Sequence, residues 1–246
     1  MKNILLAVSL SLALVVSGCK KTSENKIIFA TTADYPPFEF YHNKVVKGFD
    51  IDLASLIAKE MNKEAKFEDM EFSSILVALQ NGSVDAAIST ITITNERKKN
   101  FDFSDSYYEE SLSVLYPQGS PLTNKANLKH KKIACQLGTT MEIWLKNNAT
   151  DTEIILMNNN NQAVEALKAG HVDGVFIDSV QAVSFASKNP GLAYAFIAKS
   201  DNGYGIALKK GSQLKEAINH ALQSLKEKGE LDKLNKKWLE SSEWNN

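Results

Sequence analysis

Ala78-Leu79-Gln80-Asn81-Gly82-Ser83-Val84-Asp85 and Ala166-Leu167-Lys168-Ala169-Gly170-His171-Val172-Asp173 are two spellings of one local structure, 88 positions apart. In each, Leu and Ala favour a helix, Gly supplies the left-handed residue that stops it, and an apolar run follows. The run is Ala86-Ala87-Ile88 after the first copy and Gly174-Val175-Phe176-Ile177 after the second, which reads as a helix turning into a buried strand. Ser89-Thr90 close one strand and Asp178 the other, and in open α/β sheets the C-terminal strand edge is where ligands bind. The repeat predicts an α/β chain of two similar lobes that hold a small polar ligand between their polar strand ends.

The same logic runs through the rest of the chain. Lys26 to Thr31 reads as a short buried strand, Tyr35-Pro36-Pro37-Phe38 is non-helical because two prolines restrict it, and a helix starts at Phe49. Asp50 and Asp52 fall in that helix's first turn, where negative charge is favoured, and Leu53, Leu56, Ile57 and Met61 form its core face. Ser73 is the expected cap of the helix that ends at Gly82. A second strand, loop and helix follow at Lys132 to Cys135, Gln136 to Thr140 and Met141 to Lys146, and Asn158 to Asn161 reads as a polar turn. Phe103 to Tyr116 is expected to cross from lobe one to lobe two, and Asp201 to Gly205 to carry the return crossing, so that the two form a hinge. The tail from Leu214 to Leu239 is helical, with Leu214, Ile218, Leu222 and Leu225 on one stripe and a break at Gly229.

The N-terminus is an address. Lys2 precedes the apolar stretch Ile4 to Val16, and Val16-Ser17-Gly18-Cys19 resembles a bacterial lipobox. That resemblance implies residues 1–18 as a signal peptide, a lipidated Cys19, and a tether over 19–25, with the acyl chains making the membrane attachment stable. With Cys19 lipidated, Cys135 has no partner for an intramolecular disulfide, so the core must hold the fold. A composition of 43% hydrophobic residues over 246 suffices for that. Lobe one is expected at 26–109 and 201–246, and lobe two at 112–198. The formal net charge of −1 and the lack of a basic stripe argue against a nucleic-acid partner. No apolar run after Val16 is long enough to span a bilayer, which excludes a permease or a transmembrane receptor.

Ser89 to Arg97 carries the densest chemistry. Thr90 and Thr92 share a face if the segment is extended, and Thr94 can cap a turn that projects Arg97. A guanidinium holds a carboxylate through paired donors, while Asp178 can accept from an ammonium, so the two suit a zwitterion such as an α-amino acid. Arg97 also reads as a solvated surface arginine beside Lys98 and Lys99, and Asp178 as the N-cap of the helix that follows. A cap can also be a ligand contact.

Gly48-Phe49-Asp50-Ile51-Asp52-Leu53, the preceding Tyr35-Pro36-Pro37-Phe38-Glu39-Phe40 and the Thr94 to Arg97 segment together resemble the polar amino-acid-binding proteins of ABC transporters, solute-binding family 3. The likeness runs from about Lys26 to Trp238 and implies a periplasmic-binding-protein-like fold, two α/β lobes on a two-stranded hinge that close around one amino acid. It assigns Tyr35 and Phe72 as aromatic walls, Arg97 with Thr92 and Thr140 to the α-carboxylate, and Asp178 to the α-ammonium. Ser89 and Thr90 are implied to line the side-chain or ammonium region, and Gln136 to face the cleft. Some relatives that bind lysine, ornithine or histidine carry an Asp where this chain has Thr32, which weakens a lysine assignment, and Asp34 and Glu39 remain as acidic candidates. An aromatic slot suits a guanidinium through cation-π attraction, and the Tyr-Pro-Pro-Phe-Glu spelling is common among the family's arginine binders. Arginine is therefore the favoured ligand and glutamine its competitor. By the same likeness the chain works as an extracytoplasmic, lipid-anchored monomer that serves an ABC permease and its ATPase, with no cofactor and no metal.

Cyclohexadienyl dehydratases share this fold and are the enzymatic alternative. The chain offers them little: His42, His130, His171 and His220 lack metal-ligand spacing, there is no Gly-x-Ser-x-Gly, and Cys135 on a strand reads as a buried apolar residue. A sensor or adhesin on the same fold is a third class.

Overall fold

The computed structural model describes residues 25–200 and 202–240, so the expected signal peptide and Cys19 lie outside the described residues. The first half contains β1 (Lys26–Thr31), β2 (Asp34–Tyr35), β3 (Glu39–His42), β4 (Val45–Lys47), α1 (Phe49–Glu60), β5 (Glu64–Asp69), α2 (Phe72–Asn81), β6 (Ala86–Ala87), α3 (Asn95–Asn100) and β7 (Phe101–Phe103). The second contains β8 (Ser111–Pro117), β9 (Lys132–Gln136), α4 (Thr140–Asn148), β10 (Glu153–Met157), α5 (Asn160–Lys168), β11 (Gly174–Asp178), α6 (Ser179–Lys188) and β12 (Leu192–Lys199). The chain then returns through β13 (Ala207–Lys209), α7 (Leu214–Glu227), α8 (Glu230–Asn235) and a last π-helical turn, Lys236–Glu240.

Among the described residues the strands form two five-stranded mixed sheets, ordered β5-β1-β6-β13-β7 and β10-β9-β11-β8-β12, and a three-stranded sheet, β2-β3-β4. In the first, β1 runs parallel to β5 and β6, while β13 is antiparallel to β6 and β7. In the second, β9 runs parallel to β10 and β11, while β8 is antiparallel to β11 and β12. Each sheet is covered on both faces, and strand alternation sorts neighbours to opposite sides. Phe29 and Ala86 join the cluster beneath α1 and α7, and Ala30 and Ala87 the cluster beneath α2. Ile133, Cys135 and Phe176 face Trp144 and Leu145 of α4, while Ala134, Val175 and Ile177 face Ala163, Val164 and Leu167 of α5.

Both copies of the opening repeat adopt the same geometry. Gly82 and Gly170 take left-handed φ values of 75° and 72°, and Val84 and Val172 are buried. Asp85 Oδ2 accepts the Ile28 N–H of β1, Asp173 Oδ2 accepts the Lys132 N–H at the start of β9, and both bonds are 2.8 Å. The helix-turn-strand unit is therefore stitched to the parallel strand beside its own, β1 next to β6 in the first half and β9 next to β11 in the second.

The chain passes between the sheets twice. Tyr204 N–H donates to Tyr108 O at 2.9 Å and Ser200 N–H to Glu110 O at 3.2 Å, so residues 104–110 run beside Ser200 and residues 202–206 as the two-stranded hinge. The first crossing is shorter than Phe103 to Tyr116, because Ser111 onward already pairs as β8. Ser73 is not the cap of α2 either: the helix begins at Phe72, which packs on the apolar cluster beneath it, and puts Glu71 at the N-cap position without a side-chain bond. Asn158 to Asn161 is not a simple turn, since Asn159 caps α5 by accepting Gln162 N–H at 2.9 Å.

Candidate functional site

The strand ends and the hinge enclose a narrow cavity. Tyr35, Phe72, Thr90, Thr92 and Arg97 line it from the first lobe, Gln136, Thr140 and Asp178 from the second. The sequence singled out all eight.

Arg97 reaches the cavity because Thr94 caps α3, its hydroxyl accepting Arg97 N–H at 3.1 Å. The guanidinium is buried beside the Phe72 ring, with its carbon 5.9 Å from the centroid. It donates through Nη1 to Thr92 O at 2.8 Å and through Nη2 to Gly138 O of the other lobe at 3.1 Å. Burial lowers its pKa to about 10, partly offset by the Glu110 carboxylate, which leaves it cationic at neutral pH. Two of its five donors are thus occupied by carbonyls, and the rest are free to meet an anion.

Asp178 ends β11 and caps α6, and from that position it lines the cavity. Its Oδ1 accepts Gln181 N–H at 3.0 Å and its Oδ2 accepts the Tyr204 hydroxyl at 3.0 Å, while burial lifts its pKa to about 6. A buried carboxylate with no cation beside it among the described residues is a preformed partner for an ammonium. Thr92 Oγ1 donates to Glu110 Oε2 at 2.8 Å and lies 3.1 Å from Thr140 Oγ1 across the cleft. Gln136 donates to Asn158 O at 3.1 Å.

Thr90 lines the cavity for a reason alternation does not supply. Its φ of 46° is left-handed, so Ser89 to Thr92 is a kinked turn rather than extended chain.

Three of the sequence-selected residues do not line the cavity. Thr32 donates its hydroxyl to Met70 O at 3.0 Å, Ser89 donates to Glu39 Oε1 at 2.8 Å, and Glu39 is fully buried. They form a polar layer behind the wall, because Thr32 N–H binds Ser89 Oγ at 3.1 Å and draws that side chain inward. Asp34 lies off the cavity as well. Its carboxyl is pushed to about 6 by burial and by Glu71 and Asp69.

The sequence reading missed Thr139, Met141, Asn160, Phe176, Ile177 and Tyr204, which also line the cavity. Asn160 carried a legible signal, the Asn159-x-x-Gln162 spacing of a helix start. Tyr204 carried none, since it arrives from the return crossing about 26 residues after Asp178, the residue it bonds. Cys135 is buried with its thiol pushed up to about 12, unsuited to nucleophilic work. Among the described residues no group of His, Cys, Asp and Glu is arranged to hold a metal, and no helix is long and apolar enough to cross a membrane.

The family model described as bacterial extracellular solute-binding proteins, family 3, matches residues 27–241. The chain is 33% identical over 96% of its length to the Bacillus subtilis (strain 168) arginine-binding extracellular protein ArtP, of which 96% is covered. It is 35% identical over 87% of its length to the ABC transporter glutamine-binding protein GlnH of the same organism, of which 81% is covered. A solved ancestral arginine-binding protein bound to arginine superposes with a TM-score of 0.83 at 38% identity, over 87% of this chain and 98% of that one.

Proposed function

The chain belongs to the bacterial extracellular solute-binding proteins, family 3, and we propose that it captures a polar or basic L-amino acid, arginine first, and delivers it to an ABC permease. The observation that carries this reading is the pairing of opposite charges in one cavity: buried Arg97 from the first lobe and buried Asp178 from the second, beside the Tyr35 and Phe72 rings. A zwitterion satisfies both charges at once, and an arginine side chain would add cation-π attraction at the rings. Neither lobe completes the site alone, so the ligand favours the closed form through contacts it gains only there. The permease and its ATPase would engage the closed lobes, with lobe one spanning 26–109 and 201–246 and lobe two 112–198.

Glutamine is the second reading. Likeness to a glutamine-binding relative supports it, and the Gln136 carboxamide can face an amide as readily as a guanidinium. A dehydratase-like enzyme gains no support from relatives named as binding proteins or from a cavity whose cysteine neighbour is inert. Thermal shift against the twenty amino acids with ornithine and citrulline decides between ligands. The true ligand stabilises the fold by about 2.7 kcal/mol at a hundred times its Kd. No shift with any amino acid would overturn the reading.

Residues 1–18 act as the signal peptide and Cys19 as the lipidated residue, which anchors the protein, a monomer, in the periplasm or at the outer face of the cell membrane. Cys19→Ala should release exported protein from the membrane fraction.

A further inference from the structure

Glu39, which the sequence offered as a ligand contact, sits behind the cavity wall against Asp50 of α1. Both carboxyl groups are fully buried and lie close enough to interact directly. Among the described residues Glu39 Oε2 and Asp50 Oδ1 have no hydrogen-bond donor. Two buried carboxylate oxygens left side by side without donors repel unless a proton lies between them. Asp50 Oδ2 already accepts Thr90 N–H at 2.8 Å and the Tyr107 hydroxyl at 2.9 Å, whereas Glu39 Oε1 accepts only the Ser89 hydroxyl at 2.8 Å. Two donors stabilise an anion better than one, which assigns the negative charge to Asp50 and the proton to Glu39 Oε2.

We propose that Glu39 and Asp50 share one proton and act as positioning residues that hold the Ser89–Thr90 turn, and with it Thr90, against the cavity. The shared proton would close a circuit in which Thr32 N–H donates to Ser89, the Ser89 hydroxyl to Glu39, Glu39 to Asp50, and Thr90 N–H to Asp50. Thr90 needs such a hold, because a β-branched residue at a φ of 46° does not stay there unaided. Gly48 brings the two acids together. At a φ of 136° it passes so close to Phe38 that an added Cβ would lie 2.0 Å from the Phe38 carbonyl oxygen, which lets the start of α1 dock on β3. The other titratable groups facing the pair are Tyr107 of the crossing and Asp34 of β2. Burial of both carboxyls and their mutual repulsion favour keeping the proton at neutral pH.

The proposal rests on amino-acid binding in this cavity for its functional consequence alone, and its test separates the two. Infrared spectroscopy of the ligand-free protein in heavy water at neutral pD should show a carboxylic-acid carbonyl band that E39Q removes. Amide exchange at Thr90 should be slow in wild type and E39Q. A Gln amide replaces the shared proton with an N–H donor, so E39Q should bind arginine within about threefold of wild type, while Glu39→Ala should lose about tenfold or more and exchange Thr90 faster. A wild-type protein without the band, or a band that survives in E39Q, overturns the pair. An E39Q variant weakened as far as Glu39→Ala with Thr90 still protected also overturns it, since that is the behaviour of a charge touching the ligand. If wild type binds no amino acid, the proposed function falls, and the band and the Thr90 exchange still decide the pair. The same two readings decide the matter should Glu39→Ala fold poorly.

Discussion

After Asp85 the first lobe's strand lasts two residues, Ala86–Ala87, and gives way to an irregular turn that reaches Arg97 only through the cap of a six-residue helix. After Asp173 the second lobe's strand lasts five, Gly174–Asp178, all buried, and runs directly into the ten-residue α6. The two lobes share the stitch between the repeat and the neighbouring parallel strand, then diverge where the site begins. The charge to be presented explains the divergence. An aspartate at an N-cap is short, rigid and favoured by the helix dipole, so a strand followed by a helix is enough to place it. A buried arginine is long and needs carbonyl acceptors along its length, and a kinked turn supplies Thr92 O within reach while the opposite lobe supplies Gly138 O.

The largest effect expected from this contrast is at Arg97. Arg97→Ala should weaken arginine binding at least about a hundredfold, near 3 kcal/mol, because a ligand carboxylate in a closed cleft then has no charged fork. Calorimetry with a folded variant measures it, and near wild-type affinity would break the assignment of the carboxylate to lobe one.

Asp178 should respond less and through pH. D178N keeps a capping side chain and removes only the charge, so affinity should drop about tenfold to a hundredfold with little loss of stability. Burial raises the folded-state pKa of Asp178 to about 6, above the ordinary carboxylate value of 3.8, so the folded apo protein holds a proton that the unfolded chain has released between those values. The ionised form therefore costs stability above pH 6, and a ligand ammonium relieves that cost. Arginine affinity should be flat above about pH 7 and fall by up to about tenfold per pH unit as Asp178 protonates. D178N should flatten that profile; an unchanged profile would assign the titration to another group such as Asp34.

The smallest effects test what the lobes share. Asp85→Ala and Asp173→Ala each remove one bond to a backbone N–H, so each should cost about 1 kcal/mol in chemical denaturation and leave arginine affinity unchanged. Unequal costs, or a change in binding, would mean that the two stitches are not equivalent.

By itself the sequence determined the repeat, the α/β class, the core stripes of α1 and α7, and the identity of the two charges. Those features follow from local rules of helix stopping, strand alternation and capping, which need only neighbours in the chain. Leu53, Ile57, Ile218 and Leu222 are buried as their spacing requires, and Asp178 caps α6 as its position requires. Tertiary structure decided which polar residues reach the cavity and which support it from behind. Alternation put Thr90 and Thr92 on one face, yet Thr90 faces the cavity from a left-handed turn bonded to Asp50, a residue 40 positions away. Likewise Asp50, legible only as a favourable charge at a helix start, is fully buried against Glu39, and Tyr204 meets Asp178 only because the return crossing lies beside the first. Such contacts depend on how the sheets and crossings come together, and a buried carboxyl's neighbours and protonation are fixed by that packing rather than by the residues beside it in the chain.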